Sequence, residues 1–247
     1  MDRHYYKLIV EYDGTDFSGW QIQPGKRTVQ EVLQNVIGLL TGEEIVVLGA
    51  GRTDTGVHAL GQVASFWSEK YVKPSELHYR LNRILPDDIA IKKVVQASPG
   101  FDPRRHAFSR VYRYYIAESP QVLSRHTRYQ SYRPLNMDIL NKAARLLKGK
   151  HDFTAFCKRK SLKQDNHCQI FVSRWFRYGG ALIYEVEANR FLHHMVRRLV
   201  GTMLAAENLK LGLTHIKAFL NNKCAARYNA PAKGLILIKV NYRREKQ

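Results

Sequence analysis

Apolar and polar residues alternate along residues 5–12, with Tyr6, Leu8 and Val10 on one face, and this period of two predicts a strand. A polar, glycine-containing loop follows to Pro24. Thr28, with Glu31 three positions on, has the sequence form of a capping box. The helix it opens carries Val29, Val32, Leu33, Val36, Ile37 and Leu40 at helical spacing. Short apolar runs at 45–48 and 62–67 predict two strands separated by a glycine-rich connection. Pro74 opens a helix reaching about residue 84, and 89–95 and 108–116 read as further strands. The second half has a similar rhythm. Residues 136–147 predict a helix closed by Gly149, and 170–178 and 181–188 flank Gly179-Gly180 as a tight hairpin. Residues 190–207 and 214–220 read as helices, and 235–242 as a last alternating strand. Strands and helices are mixed throughout, and hairpins imply antiparallel pairing. The expected fold class is therefore α/β, of the α+β type, in two lobes spanning 1–105 and 106–247. Only the tail, 243–247, is expected to be flexible.

Composition narrows the function classes. The 247 residues are 45% hydrophobic and 11% aromatic, enough to build real cores and too much for extensive disorder. No run of about 18 apolar residues predicts a membrane span. The first residues, Met1-Asp2-Arg3-His4, lack the sections of a signal peptide, so a cytoplasmic location is expected. Forty Lys and Arg against twenty-one Asp and Glu leave a net charge of +19. With a sequence pI near 10.0, this is the electrostatic footprint of a nucleic-acid binder. A basic amphipathic helix or lipidation site, which membrane attachment would want, is not seen. Cys157, Cys168 and Cys224 form no CxxC pair, so neither a zinc site nor a disulfide framework is expected.

Three clusters carry candidate chemistry. The loop Ala50-Gly51-Arg52-Thr53-Asp54-Thr55-Gly56-Val57-His58-Ala59 presents a cation, a carboxylate and an imidazole, with glycines permitting close ligand approach. Asp54 could serve as nucleophile, general base or metal ligand there, or could simply cap its own turn. A second polar loop, from Tyr12 to Gln21, holds Asp13 and Asp16; turn stabilisation and packing of Trp20 explain it better than cation binding. Between 101 and 133, seven arginines meet only two acids, and Tyr112, Tyr114, Tyr115, Tyr129 and Tyr132 interleave with them. Arginine makes bidentate phosphate contacts, and a tyrosine ring offers a face to an unstacked base. On a strand, Tyr112 and Tyr114 would share one face and Arg113 and Tyr115 the other. In the stretch from Asn189 to Gly201, Leu192, Met195, Val196 and Leu199 keep core spacing while Arg197 sits at the edge of the stripe. There it either meets a carboxylate or snorkels to solvent. The adjacent His193 and His194 cannot make the i, i+4 pair of a helical zinc site.

Taken together, these segments resemble the tRNA pseudouridine synthase A (TruA) family nearly end to end. The resemblance lies in YDGTDFSGWQ from Tyr12, GRTDTGVHA from Gly51, RLNRILPDDI from Arg80 and RVYRYYI from Arg110. It continues in DFTAF from Asp152, FLHHMVRRLVG from Phe191 and APAKGL from Ala230. One local departure is FDPRRHAF from Phe101, where the family more often has alanine before arginine. The resemblance implies a pseudouridine synthase fold, two α/β lobes sharing a central mixed, mainly antiparallel sheet with flanking helices. It implies isomerisation of uridine to pseudouridine at positions 38 to 40 of the tRNA anticodon arm, by a homodimer, without nucleotide or metal cofactor. Asp54 would be the nucleophile and Arg197 its ion-pair partner. Tyr112 would pack against the target base. Arg52 would fill the place of the flipped-out uridine or pair with its phosphate.

Overall fold

The structure is a computed structural model and describes residues 3–208, 212–221 and 225–243. In chain order its elements begin with β1 (His4–Tyr12), α1 (Val29–Thr41), β2 (Leu48–Gly49), β3 (His58–Ser68), α2 (Pro74–Ile84) and β4 (Ile89–Gln96). They continue with β5 (Ala107–Ala117), β6 (Tyr129–Gln130), α3 (Met137–Leu146), β7 (Gly149–Asp152), β8 (His167–Tyr178) and β9 (Ala181–Ala188). The last three are α4 (Met195–Glu207), α5 (Leu213–Leu220) and β10 (Leu235–Tyr242). Two compact units result, one of residues 1–108 with 237–247 and one of residues 109–236. Each is α/β, with mainly antiparallel strands and flanking helices. The parallel β5–β6 pair makes the sheet of the second unit mixed.

In the first unit β1 lies between β3 and β4, antiparallel to both, with Leu8 opposite Ala64 and Val94. The alternation of β1 is the reason: Tyr6, Leu8, Val10 and Tyr12 are all buried. Helix α1 packs through Val29, Leu33 and Ile37. Its start differs from the capping box expected of Thr28, whose side chain makes no capping hydrogen bond. Thr28 is fully buried, and the first helical N–H groups find other acceptors. Val29 N donates to Gly19 O at 3.2 Å, and Gln30 N to Trp20 O at 3.0 Å. The strand expected at 45–48 contracts to Leu48–Gly49. Val47 is held by side chains of α1 instead, its carbonyl by Gln30 at 2.7 Å and its N–H by Gln34 at 3.1 Å.

In the second unit β9 lies between β5 and β8, and β7 adds to the far side of β8, all antiparallel. Gly179 and Gly180 both have positive φ, as the two-residue β8–β9 turn requires. Strand β7, including Gly149, stands where only a helix closure was expected. The helix expected from residue 190 starts at Met195, because residues 189–193 are tied elsewhere. Asn189 accepts from Gln169 N, Arg190 donates to the carbonyls of Asp165 and His167, and His193 O accepts from Lys158 N. The chain enters α4 through His194 at φ 65°, the one non-glycine positive φ among the described residues. Cys157 and Cys168 are buried free thiols; Cys224 and tail residues 244–247 lie outside the described residues. No helix among the described residues is long and apolar enough to cross a membrane.

Asn136 caps α3 as its position suggests, its Oδ1 accepting from Asp138 N at 3.0 Å and Ile139 N at 3.1 Å. Asn136→Ala is expected to cost about 1 kcal/mol of stability and Asn136→Ser much less. Urea unfolding followed by far-UV circular dichroism measures both. An unchanged midpoint for the alanine variant would remove the cap from the account.

Candidate active site

Strand β3 begins at His58, and the preceding residues 50–57 form an irregular loop between Ala50 and the sheet. Beyond Ala50, whose N–H still donates to Val63 O of β3 at 2.8 Å, backbone groups there have no ladder partners and must be satisfied otherwise. The segment 12–20 supplies the partners. Trp20 N donates to Thr53 O at 3.1 Å, and Gly56 N to Phe17 O at 3.3 Å. Tyr12 Oη and Thr53 Oγ1 share a buried hydrogen bond of 2.8 Å, and burial pushes the Tyr12 hydroxyl pKa upward. From β3, Gln62 Nε2 reaches Gly51 O at 2.8 Å. The turn that carries Asp54 is closed by its own backbone, Val57 N donating to Asp54 O at 3.1 Å.

Contact between the two loops is too close for larger residues. A Cβ on Gly14 would lie 2.1 Å from Val57 O. One on Gly19, which also has φ +90°, would lie 2.6 Å from Thr53 O. His58 bridges the same pair of loops. Its Nδ1 lies 3.0 Å from Gly14 N and 3.0 Å from Asp13 Oδ1. One ring nitrogen cannot serve both at once: it either accepts from Gly14 or donates to Asp13. Partial burial opposes ionisation of Asp13. The Thr15 hydroxyl and N–H and the His58 ring outweigh that burial and hold its pKa below the usual carboxylate value. The turn-stabilising reading of Asp13 and the packing of Trp20, 2% exposed, therefore hold.

Asp54 is thus half-buried on a loop fixed from both sides. Arg52, two residues earlier, is exposed and makes no hydrogen bond or ion pair with any described residue. Asp54 and Arg52 belong to the first unit, Tyr112 and Arg197 to the second.

In the second unit, Tyr112 is paired with Val186 on β9 and is 7% exposed. Its ring stands edge-to-face against Phe191, with centroids 5.2 Å apart. Tyr112 and Tyr114 do share the buried face of β5, and Arg113 turns the other way to pair with Glu185. Arg110 is consumed structurally, donating to Asn189 O at 2.8 Å. Arg197 lies half-buried on α4. Its Nε donates to Ala230 O at 2.8 Å, while Ala230 N returns a 3.0 Å bond to Arg197 O. Neighbouring Pro231 O accepts from the Tyr114 hydroxyl at 2.9 Å. The segment from Ala230 is therefore pinned between α4 and β5. His58 is the residue whose importance the sequence understated, since its partners lie 44 and 45 residues away and only adjacency of two glycine-punctuated loops hinted at them.

A family model described as tRNA pseudouridine synthase matches residues 8–103 and 143–243. The chain is 42% identical over 243 residues to a tRNA pseudouridine synthase A of Dictyoglomus thermophilum, covering 96% of this chain and 99% of that protein. It is 40% identical over 243 residues to the protein of the same name from Bacillus subtilis, covering 96% and 98%. These matches span both units. The chain belongs to the tRNA pseudouridine synthase family.

Proposed function

We propose that this protein isomerises uridine to pseudouridine in the tRNA anticodon arm, at positions 38 to 40, with Asp54 as its nucleophile. The observation that carries this reading is a half-buried carboxylate on a loop whose backbone is satisfied from both sides. Membership of the family and relatives named tRNA pseudouridine synthase A support it. The N1–C1′ bond breaks, the uracil turns within the site, C5 bonds to C1′ and then gives up its proton, and N1 takes a proton up. Asp54 assists either by attacking C1′ or by removing the C2′ proton to give a glycal; both routes need the ionised carboxylate. Arg197, in this reading, meets Asp54 and stabilises that charge against desolvation. A fixed loop suits the task, because reacting atoms must be held within a fraction of an ångström through a reorientation of the base.

Flipping the uridine out of its stem costs a few kcal/mol. Arg52, exposed and without a partner among the described residues, is free to enter the vacated stack or to take the nucleotide's phosphate. Tyr112 packs against the base, and Phe191, already edge-on to its ring, keeps that ring in place. Water is excluded so that the detached uracil is retained. The working enzyme is a cytoplasmic homodimer whose basic surface follows the tRNA backbone.

Affinity for tRNA is expected to fall steeply with salt, by up to about 10³-fold between 50 and 200 mM for six phosphate contacts. Filter binding across that range measures it, and a flat response would exclude phosphate-driven docking. Arg197→Lys keeps charge but loses the fork that reaches Ala230 and the carboxylate together. Turnover should drop by about 10²-fold or more while tRNA binding stays within about tenfold. Equal losses in both would make Arg197 a binding residue.

Asp54→Asn keeps size and most hydrogen bonding while removing the negative charge. Asparagine caps turns about as well as aspartate, so folding and tRNA binding should persist. Release of tritium from C5-labelled uridine in tRNA should fall below detection, because binding cannot replace a missing nucleophile. Turnover within about tenfold of the parent, roughly 1.4 kcal/mol of barrier, would refute the role.

A further inference from the structure

The stretch 153–164 contains no acidic residue and carries Lys158, Arg159, Lys160 and Lys163 within six positions. None of these four side chains makes a hydrogen bond or ion pair with any described residue. Arg159, Lys160 and Lys163 are exposed, and Lys158 is half-buried. The two acids that flank the stretch are engaged elsewhere. Asp152 Oδ1 accepts from the N–H and the hydroxyl of Thr154 at 2.9 and 2.7 Å. Asp165 Oδ1 takes the His167 N–H and meets its ring, each at 2.9 Å, and Asp165 Oδ2 lies 3.7 Å from Arg190.

The backbone beneath these charges is held in place. Asn166, 7% exposed, closes the loop from inside. Its Oδ1 accepts from Lys163 N at 3.1 Å, and its Nδ2 donates to Lys163 O at 2.9 Å and to Thr154 Oγ1 at 3.0 Å. A single 3₁₀ turn, Arg159–Ser161, follows Lys158. The loop is also tied to the residues that precede α4. Lys158 N donates to His193 O at 3.0 Å, and Ser161 Oγ and His193 Nδ1 share a hydrogen bond of 2.7 Å. Arg198, in the first turn of α4, brings a fifth cation. Its half-buried guanidinium donates to Cys157 O and has no carboxylate partner among the described residues. A partly desolvated guanidinium with no counter-charge is costly to keep. Helix α4 has no acidic residue in its first turn, so its positive end adds to the same sign.

Charge of one sign on an ordered backbone suits a polyanion, and pre-ordering lowers the entropy lost on binding. The segment 158–163 holds no aromatic ring to stack on a base. Phosphate contacts fix where a strand lies without reading its sequence. We propose that residues 158–163 are a docking surface for the sugar–phosphate backbone of the tRNA substrate, with Arg159, Lys160 and Lys163 each on a phosphate. The inference rests on the proposed function for the identity of the RNA. Because the segment is bonded to His193, a strand held there is placed relative to the start of α4, the helix that carries Arg197.

The test uses the full-length protein and unmodified tRNA transcript. A triple variant, Arg159→Gln with Lys160→Gln and Lys163→Gln, removes three exposed charges and no contact with a described side chain. A second triple, Lys142→Gln with Arg145→Gln and Lys148→Gln, removes the same charge from exposed positions on and after α3. The first triple should flatten the slope of log affinity against log salt by roughly 2, three phosphates at about 0.7 each. Its Kd for tRNA at about 100 mM salt should rise about 10- to 100-fold. Its kcat at saturating tRNA should stay within about twofold, as for a loss of uniform binding. Arg159→Lys, which keeps the charge, should bind like the parent. The same loss should appear with a transcript whose uridines at 38 to 40 are cytidines, since no base is read. Equal losses in the two triples would reduce the effect to net charge and overturn the proposal. An unchanged salt slope in the first triple would overturn it, and so would a lower sedimentation mass, which would assign the surface to a second copy of the chain. One measurement needs no variant: tRNA should shield Lys160 and Lys163 of the parent from an amine-reactive ester more than Lys142 and Lys148. Equal labelling would overturn the docking surface. If the parent made no pseudouridine in any tRNA, the proposed function would fail, while salt slope and labelling would still decide this inference.

Discussion

Backbone groups of the loop 51–57 lie outside the ladder, and an unsatisfied buried one costs about 1–3 kcal/mol. Two of their partners come from residues 12–20, Trp20 N for Thr53 O and Phe17 O for Gly56 N, and this pairing of irregular segments organises the loop region of the first unit. It forces Gly14 and Gly19, because any side chain there would strike the carbonyls of Val57 and Thr53. It buries Phe17 and Trp20, 1% and 2% exposed, as the apolar floor beneath the polar contacts. It also reaches α1. The carbonyls of Gly19 and Trp20 take the first two N–H groups of that helix, so the helix start, the 12–20 segment and the Asp54 loop form one hydrogen-bonded stack. Thr28 makes no capping bond, and the stack itself takes the N–H groups of Val29 and Gln30. Disturbance at any layer of this stack is felt at Asp54 without touching it.

Legibility of the chain follows from whether the deciding partner is near in sequence. Helix α2 runs from Pro74 to Ile84, as its proline and apolar spacing indicate, and β9 and β10 keep their expected limits. The β8–β9 turn is equally local, since two glycines at positive φ need no distant help. Where the outcome was set from afar, local reading failed. Residues 190–194 have helical spacing yet are drawn out of the helix by Lys158, Asp165, His167 and Gln169. Residues 45–47 look like a strand, yet Val47 is held by glutamines of α1 instead. The candidate site divides the same way. Asp54 and Arg52 stand out between glycines, and Arg197 at the edge of an apolar stripe. The bridge from His58 to Asp13 and Gly14, and the anchoring of Arg197 on Ala230, depend on contacts tens of residues long.

Three acidic groups of the second unit are each held by arginines. Glu185 is gripped by both Arg113 and Arg174, Glu118 by Arg177, and Glu207 by Arg133. For Glu185 and Glu207 burial alone would raise the carboxyl pKa, and the arginine hydrogen bonds reverse it; for Glu118 the Arg177 bond leads. All three titrate below the usual carboxylate range. A folded-state pKa depressed in this way contributes stability that is fully present above the unfolded value, about 4.3. That stability is lost only as pH falls through the lower folded value. Across the neutral range the carboxylates therefore stay ionised and committed to particular arginines. None is left to repel phosphate from a neighbouring surface. Of the seven arginines between 101 and 133, Arg110, Arg113 and Arg133 are committed to partners within the fold.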